Sequence, residues 1–290
     1  LVVNGEPDSD VARTTRVAVR AAAREAYSRD RLAEWQRVFE SSAAQMAERL
    51  PRNEAVDLIG TFAEPWALSM AMLASGAAVE NQLRLSALAR DVFLDAAHST
   101  TGESSSDAAL QLASALSGGG AIDVQSFVAL SQTVPAFLGA AWLELFRARE
   151  LVLDVTPIID ELLRFAGPSR AVFRRVRAEI QIGDANIEAG QRVALMLARA
   201  NRDPEKFFEP DRLDFARDAS AHLAFGHGAH ACVGASIVRM AVVAATNALL
   251  RVARDVTVLD VQWLDGFAIR APLSLVVVEK RPSSGDVAPA

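Results

Sequence analysis

The chain has 290 residues, of which 51% are hydrophobic and 23% charged, with a mean hydropathy of +0.17. That is enough apolar material for one large core. A net charge of −6 and the lack of a basic face predict no nucleic-acid partner, and the single cysteine, Cys232, excludes an internal disulfide framework and suits a cytoplasmic setting.

In chain order, Val11–Leu50 carries apolar residues at helical spacing among Arg and Glu until Pro51 stops the pattern. Asp57–Ala78 reads as a more buried helix and Gln82–Ala97 as another. The polar run Ser99–Asp107 reads as a loop, followed by a short helix to Leu116 and a break at Gly118-Gly119-Gly120. Ile122–Glu150 predicts one long helix, apolar all round and therefore buried. Its stretch Val124–Leu143 has the length of a membrane span, but Gln125, Ser126, Ser131, Gln132, Thr133 and Pro135 make it too polar, so no membrane association is expected. Val155–Phe165 is a further helix, closed by Gly167-Pro168.

Beyond Pro168 the periodicity shortens. Arg170–Leu197 alternates as strands around turns at Gly183-Asp184 and Ala189-Gly190. Residues 201–222 are irregular, a helix runs from near Cys232 to about Ala253, and Val256–Glu279 returns to strands. The expected fold class is mainly α with a minor β component, as one domain over residues 1–281 with a disordered tail at 282–290.

Chemistry concentrates in Phe225-Gly-His-Gly-Ala-His-Ala-Cys-Val-Gly234. Gly226, Gly228 and Gly234 permit tight turns and close approach to a flat ligand. A cysteine at the start of a helix faces the positive end of the dipole, which favours the thiolate and makes it a good iron ligand. Two other readings stay open on these residues. Cys232 could be a small buried hydrophobe, or His222, His227, His230 and Cys232 could hold zinc.

The segment resembles the heme loop of the cytochrome P-450 superfamily, Phe-Gly-x-Gly-x-His/Arg-x-Cys-x-Gly, and every fixed position is filled. The resemblance implies a heme-thiolate monooxygenase carrying heme b. Cys232 would be the axial ligand, His230 a propionate contact, and Phe225, Gly226 and Gly234 the frame of the loop. Glu161 and Arg164, about 70 residues earlier, match the family's Glu-x-x-Arg pair, and Arg212 matches its third member. Ala200-Asn-Arg-Asp-Pro204 also looks like this family, and Arg174 aligns with a propionate-binding arginine, with Arg175 and Arg177 as neighbours in register.

Three departures accompany the resemblance. The first family-like helix begins near residue 11 and Ser86–Ser117 is short, so the N-terminal sheet and part of the substrate-covering region are expected to be missing and the pocket remodelled. In the oxygen-handling helix, Ala129-Leu130-Ser131-Gln132-Thr133 stands for Ala-Gly-x-Asp/Glu-Thr: Thr133 keeps the hydroxyl, Gln132 cannot titrate, Leu130 adds bulk, and Pro135 predicts a kink. In the first helix, Val11 and Thr15 occupy the positions of a propionate-binding pair, with Arg13 or Arg16 as substitutes. Thr133 and Gln132 are the expected catalytic residues. The implied partners are an apolar small-molecule substrate and a ferredoxin-type electron donor. The alternative is a family-derived protein without monooxygenase activity.

Overall fold

The computed structural model describes residues 17, 20–22, 25–101, 107–116, 124–148 and 152–279. Val11, Arg13, Thr15, Arg16, the glycine run at 118–120 and the tail at 282–290 lie outside the described residues. The helices are α1 (Arg29–Glu48), α2 (Glu64–Ser75), α3 (Gln82–His98), α4 (Asp107–Leu116), α5 (Val124–Val128), α6 (Val134–Ala148), α7 (Ile159–Ala166), α8 (Leu197–Ala200) and α9 (Ala235–Val252). The strands are β1 (Ala55–Asp57), β2 (Val172–Arg175), β3 (Ile180–Ile182), β4 (Ala185–Ile187), β5 (Arg192–Leu195), β6 (Val256–Asp265) and β7 (Arg270–Glu279). The mainly helical expectation holds, with a minor β part.

α6 is the axis of the core. Eleven of its residues are buried, including Phe137, Trp142 and Leu143, because its sequence has no polar face to offer water. Phe62 stacks on Trp142 with ring centroids 5.4 Å apart, and Trp142 donates its indole N–H to Thr246 Oγ1 of α9 at 3.0 Å. That bond satisfies a polar atom that would otherwise be stranded in the interior. The two apolar segments of membrane-spanning length, Val124–Ala148 and Ala235–Val252, are 78% and 44% buried inside the protein.

Pro135 acts as the sequence predicts, but through a widened turn. Residues Ala129–Thr133 form a π-helical turn between α5 and α6, and the Val134 N–H reaches back to the Ala129 carbonyl. A π turn absorbs the missing proline donor by shifting the hydrogen-bond register by one residue. A second π turn, Ile59–Ala63, precedes α2, which has Pro65 in its first turn. The helix expected over Asp57–Ala78 is therefore a strand end, a π turn and a shorter helix.

β1 was not anticipated. It pairs antiparallel with β7 (Val56 opposite Val277), and β7 pairs with β6, giving the order β1-β7-β6. Three residues carry too short an alternation to register as a strand in sequence. The β6–β7 connection docks on the end of α3: the Ala268 N–H donates to the Ala97 carbonyl at 3.0 Å. A Cβ on Gly266 would stand 2.4 Å from that carbonyl oxygen, so only glycine allows this approach.

Candidate heme-thiolate site

α7 opens the site. Glu161 and Arg164 lie three residues apart on one helix face and are both buried. Arg164 Nε and Nη2 meet the two Glu161 oxygens at 2.6 and 2.8 Å, a bidentate pair. The remaining guanidinium donors go to carbonyls of Asn201 and Pro210, each at 2.8 Å, and of Arg212 at 3.2 Å. Glu161 also accepts from the Asp214 N–H at 3.0 Å and from Arg217 Nε at 3.2 Å. Arg212 thus supplies only its carbonyl, while its side chain is exposed and pairs with Glu209. The third side chain of the network is Arg217, five residues further on. Sequence matching misses this because Pro210, Asp211 and Leu213 turn the chain before the arginine can reach inward.

Asn201 carries the support forward. Its carbonyl is held by Arg164, and its side-chain Oδ1 accepts the Leu223 N–H at 2.7 Å, directly before the glycine loop. The loop then closes on itself. The Gly226 N–H donates to Leu223 at 2.9 Å and the Cys232 N–H to the Phe225 carbonyl at 2.8 Å. Gly226 and Gly228 adopt φ of 68° and 71°, a backbone region that favours glycine. Behind the loop, Arg239 of α9 lies 4.7 Å over the Phe225 ring and bonds Asp160 through Nε at 3.0 Å and Nη2 at 2.8 Å.

Cys232 sits three residues before α9, with its side chain solvent-accessible. Its crowded surroundings push the thiol pKa up, against the lowering effect of the Gly234 N–H on the sulfur and of the Arg239 and Arg20 guanidinium groups. The hydrophobic reading of Cys232 does not fit an exposed sulfur with an aimed N–H. The zinc reading fails as well. No cluster of metal-ligating side chains forms among the described residues. Both His222 nitrogens are engaged, Nδ1 by the Ala224 N–H at 3.0 Å and Nε2 by Asp160 at 3.3 Å.

Comparison with known proteins decides what this geometry belongs to. Residues 153–252 match the family model described as Cytochrome P450. The fold is that of P450BioI, solved in complex with an acyl carrier protein ligated to hexadec-9Z-enoic acid, at a TM-score of 0.80 and 23% identity over 94% of this chain and 80% of that one. The second half of the chain thus carries a cytochrome P450 likeness. In sequence it is 35% identical over 120 residues to the biotin biosynthesis cytochrome P450 of Bacillus subtilis (strain 168), covering 41% of this chain and 30% of the relative. It is 37% identical over 128 residues to the cytochrome P450 monooxygenase PikC of Streptomyces venezuelae, covering 42% of this chain and 31% of the relative. The matched sequence thus spans about a third of those curated relatives. The ligand-free P450 monooxygenase TamI superposes with a TM-score of 0.71 at 26% identity, over 94% of this chain and 76% of that one.

The cytochrome P450 likeness implies a heme-iron cofactor, and the donor set of this chain fits one. Cys232 presents a soft sulfur ligand with an N–H aimed at it. Arg174, on β2 opposite Val193, is half-buried, and its single side-chain hydrogen bond among the described residues goes to the Phe173 carbonyl at 2.7 Å. Burial pushes its pKa down, as expected of a guanidinium that lacks an anionic partner. A carboxylate such as a propionate would satisfy its spare donors. Arg175 and Arg177 are exposed, so only Arg174 of the three points away from bulk water. His230 is half-buried in the short 3-10 turn Gly228–His230.

One residue that the sequence did not single out belongs here. Arg20, on helical backbone, donates Nη2 to the Ala229 and Ala231 carbonyls at 2.6 and 3.0 Å, flanking His230. The expectation for this helix centred on Val11 and Thr15. The only sequence signal for Arg20 was its place among several arginines, which does not choose between them.

Thr133 and Gln132, the expected catalytic residues, are half-buried in the π turn. Ser131 is buried and donates to the Phe127 carbonyl at 2.8 Å, a back-bond that accompanies helix bending. Leu130 is 2% exposed and packs in the core.

Proposed function

We propose that this protein is a heme-thiolate oxygenase that oxidises an apolar small molecule or natural-product intermediate, using dioxygen and electrons from a separate ferredoxin-type donor. The carrying observation is the Cys232 loop, its sulfur presented ahead of α9 and its backbone tied through Asn201 to the buried Glu161–Arg164 pair. Residues 1–281 act as one heme domain, working in the cytoplasm.

Heme b, when bound, supplies oxygen activation and electron-accepting chemistry at iron. The residues divide the remaining work. Cys232 ligates as the thiolate, and the Gly234 N–H stabilises the charge on its sulfur. Arg174 and His230 hold propionates. Phe225, braced by Arg239, packs near the sulfur, while Gly226 and Gly234 keep the loop shallow. Thr133 offers a hydroxyl to the oxygen-binding side, and Gln132 orients hydrogen bonds beside it. The names of relatives, a biotin biosynthesis cytochrome P450, a cyclomarin C epoxidase and a nocardicin C N-oxygenase, support a natural-product substrate class.

The test is a reduced, CO-treated spectrum of heme-loaded protein. A red-shifted Soret band that vanishes in Cys232→Ala is the expected result. A heme spectrum indifferent to that substitution overturns the proposal. The second reading, a P450-derived heme protein without monooxygenase activity, is favoured by Gln132 at the acid position. Heme-loaded protein that consumes neither dioxygen nor peroxide would select it.

A further inference from the structure

The two π turns meet at one pocket. Glu64 follows the first turn, Gln132 belongs to the second, and Ile59, Arg90, Pro135 and Leu273 complete the part of the wall that matters here, around a cavity of about 20 Å³, room for about one water. Gln132, Pro135 and Ala136 share one face of the helix (spacing i, i+3, i+4), so the pocket runs along that face, and Thr133 is the residue that follows Gln132 in the π turn.

Oxygen insertion has a fixed demand for protons. One R–H, one dioxygen, two electrons from the donor protein and two protons give R–OH and water. The C–H and O–O bonds break, a C–O bond and O–H bonds form, and both protons leave in the water. The helix beside the oxygen site cannot meet that demand: from Val124 to Leu143 it holds no Asp, Glu, His, Cys, Tyr, Lys or Arg. Glu64 is the carboxyl group in the lining of the pocket at this turn.

Its surroundings suit an acid that releases and regains a proton. No hydrogen bond among the described residues commits the Glu64 carboxyl, and Arg90 of α3 approaches only to 3.7 Å, beyond hydrogen-bond length. Burial pushes its pKa up, Arg90 lowers it, and the like charge of Asp57 on β1 raises it again. Asp57 itself is occupied, accepting the Ile59 N–H at 3.1 Å and the Leu275 N–H at 2.9 Å. The Glu64 side chain is 40% exposed, so it can be reprotonated from bulk water.

We propose that Glu64 is the proton-supplying acid of the oxygen side, delivering through water oriented by Gln132 to the Thr133 hydroxyl. The proposal rests on the heme-thiolate reading above. Gln132 cannot titrate, but its amide accepts and donates at once, as a water-borne relay requires. A carboxyl group on α2 thereby does the work that no residue of the central helix can do. Glu64 is a positioning and proton-supplying residue and need not touch the oxygen.

The experiment uses heme-loaded full chain with a surrogate ferredoxin and reductase, following dioxygen consumption and hydrogen peroxide release without organic substrate. Wild-type consumption is expected to slow as pH rises through the Glu64 titration. Glu64→Gln should be slower by roughly tenfold or more, flat in pH, and shifted toward peroxide release. Glu64→Asp should keep the pH dependence, and Glu64→Gln with Gln132→Glu should regain rate and slope. Independently of turnover, the infrared band of a protonated carboxyl, titrated between acid and neutral pH, should lose one component in Glu64→Gln. If Glu64→Gln keeps the wild-type rate and pH profile, or if the loss is not regained by the double variant, the relay is overturned while the CO spectrum still upholds the heme-thiolate reading. A wild type lacking the thiolate-type CO band overturns both.

Discussion

The two sides of the site are built on different principles. Behind Cys232 the support is dense: Arg164 alone makes two bonds to Glu161 and three to backbone carbonyls. Around Gln132, two π turns and two prolines relax the helical register, the ion pair across the pocket spans 3.7 Å, and a cavity of about 20 Å³ adjoins. The first arrangement fixes a ligand sulfur in place, which is what a thiolate in a strong field needs. The second leaves room for water and for side chains that exchange partners. Rigidity around Cys232 and looseness around Gln132 follow from the same chain, and the proposed roles of iron ligand and proton relay use the two differently.

That contrast predicts a graded series. Cys232→Ala should abolish the thiolate-type CO band outright, with heme content as the control. Arg164→Ala leaves buried Glu161 with only Arg217 and the Asp214 N–H and frees three backbone carbonyls, so about 3 kcal/mol of stability should disappear in denaturant titrations. Asn201→Ala leaves the Leu223 N–H without its acceptor, and a loss of about 1–3 kcal/mol with weakened heme retention is expected. A smaller effect concerns pH. Burial lowers the pKa of His222, so the folded state holds it neutral while the unfolded state takes up a proton below about 6.5. Its contribution is present above that pH and is lost as pH falls, and His222→Gln should flatten thermal stability between pH 7 and 5. Arg212→Ala should change stability by less than about 0.5 kcal/mol, in contrast to Arg217→Ala. If Arg212→Ala matches Arg217→Ala, the assignment of the network is wrong.

The same contrast explains what sequence could reveal. The Cys232 loop was legible because glycine at φ near 70° and an exposed sulfur leave few substitutes, and Glu161 and Arg164 because three-residue spacing puts them on one helix face. Arg217 and Arg20 were not legible, since one guanidinium looks like another until the chain turns are known. Pro135 announced a disturbance, but only the coordinates show that it takes the form of a π turn, whose register shift leaves no compositional trace. The Glu64–Gln132 pocket was invisible for a different reason. It joins residues 68 positions apart through packing alone, with no motif to mark either.

The β1–β7 pairing also bears on synthesis. Asp57 Oδ1 accepts the Leu275 N–H across a separation of 218 residues, and Val56 lies opposite Val277. A ribosome adding about 5–20 residues per second makes β1 wait on the order of 10–40 s for its partner strand. Through that interval the edge of β1 and the apolar faces of the first helices stand unpaired, while the Cys232 loop emerges in front of an unfinished scaffold. Heme capture should therefore be among the last events of biogenesis, and the newborn chain should depend on chaperones more than its finished stability would suggest.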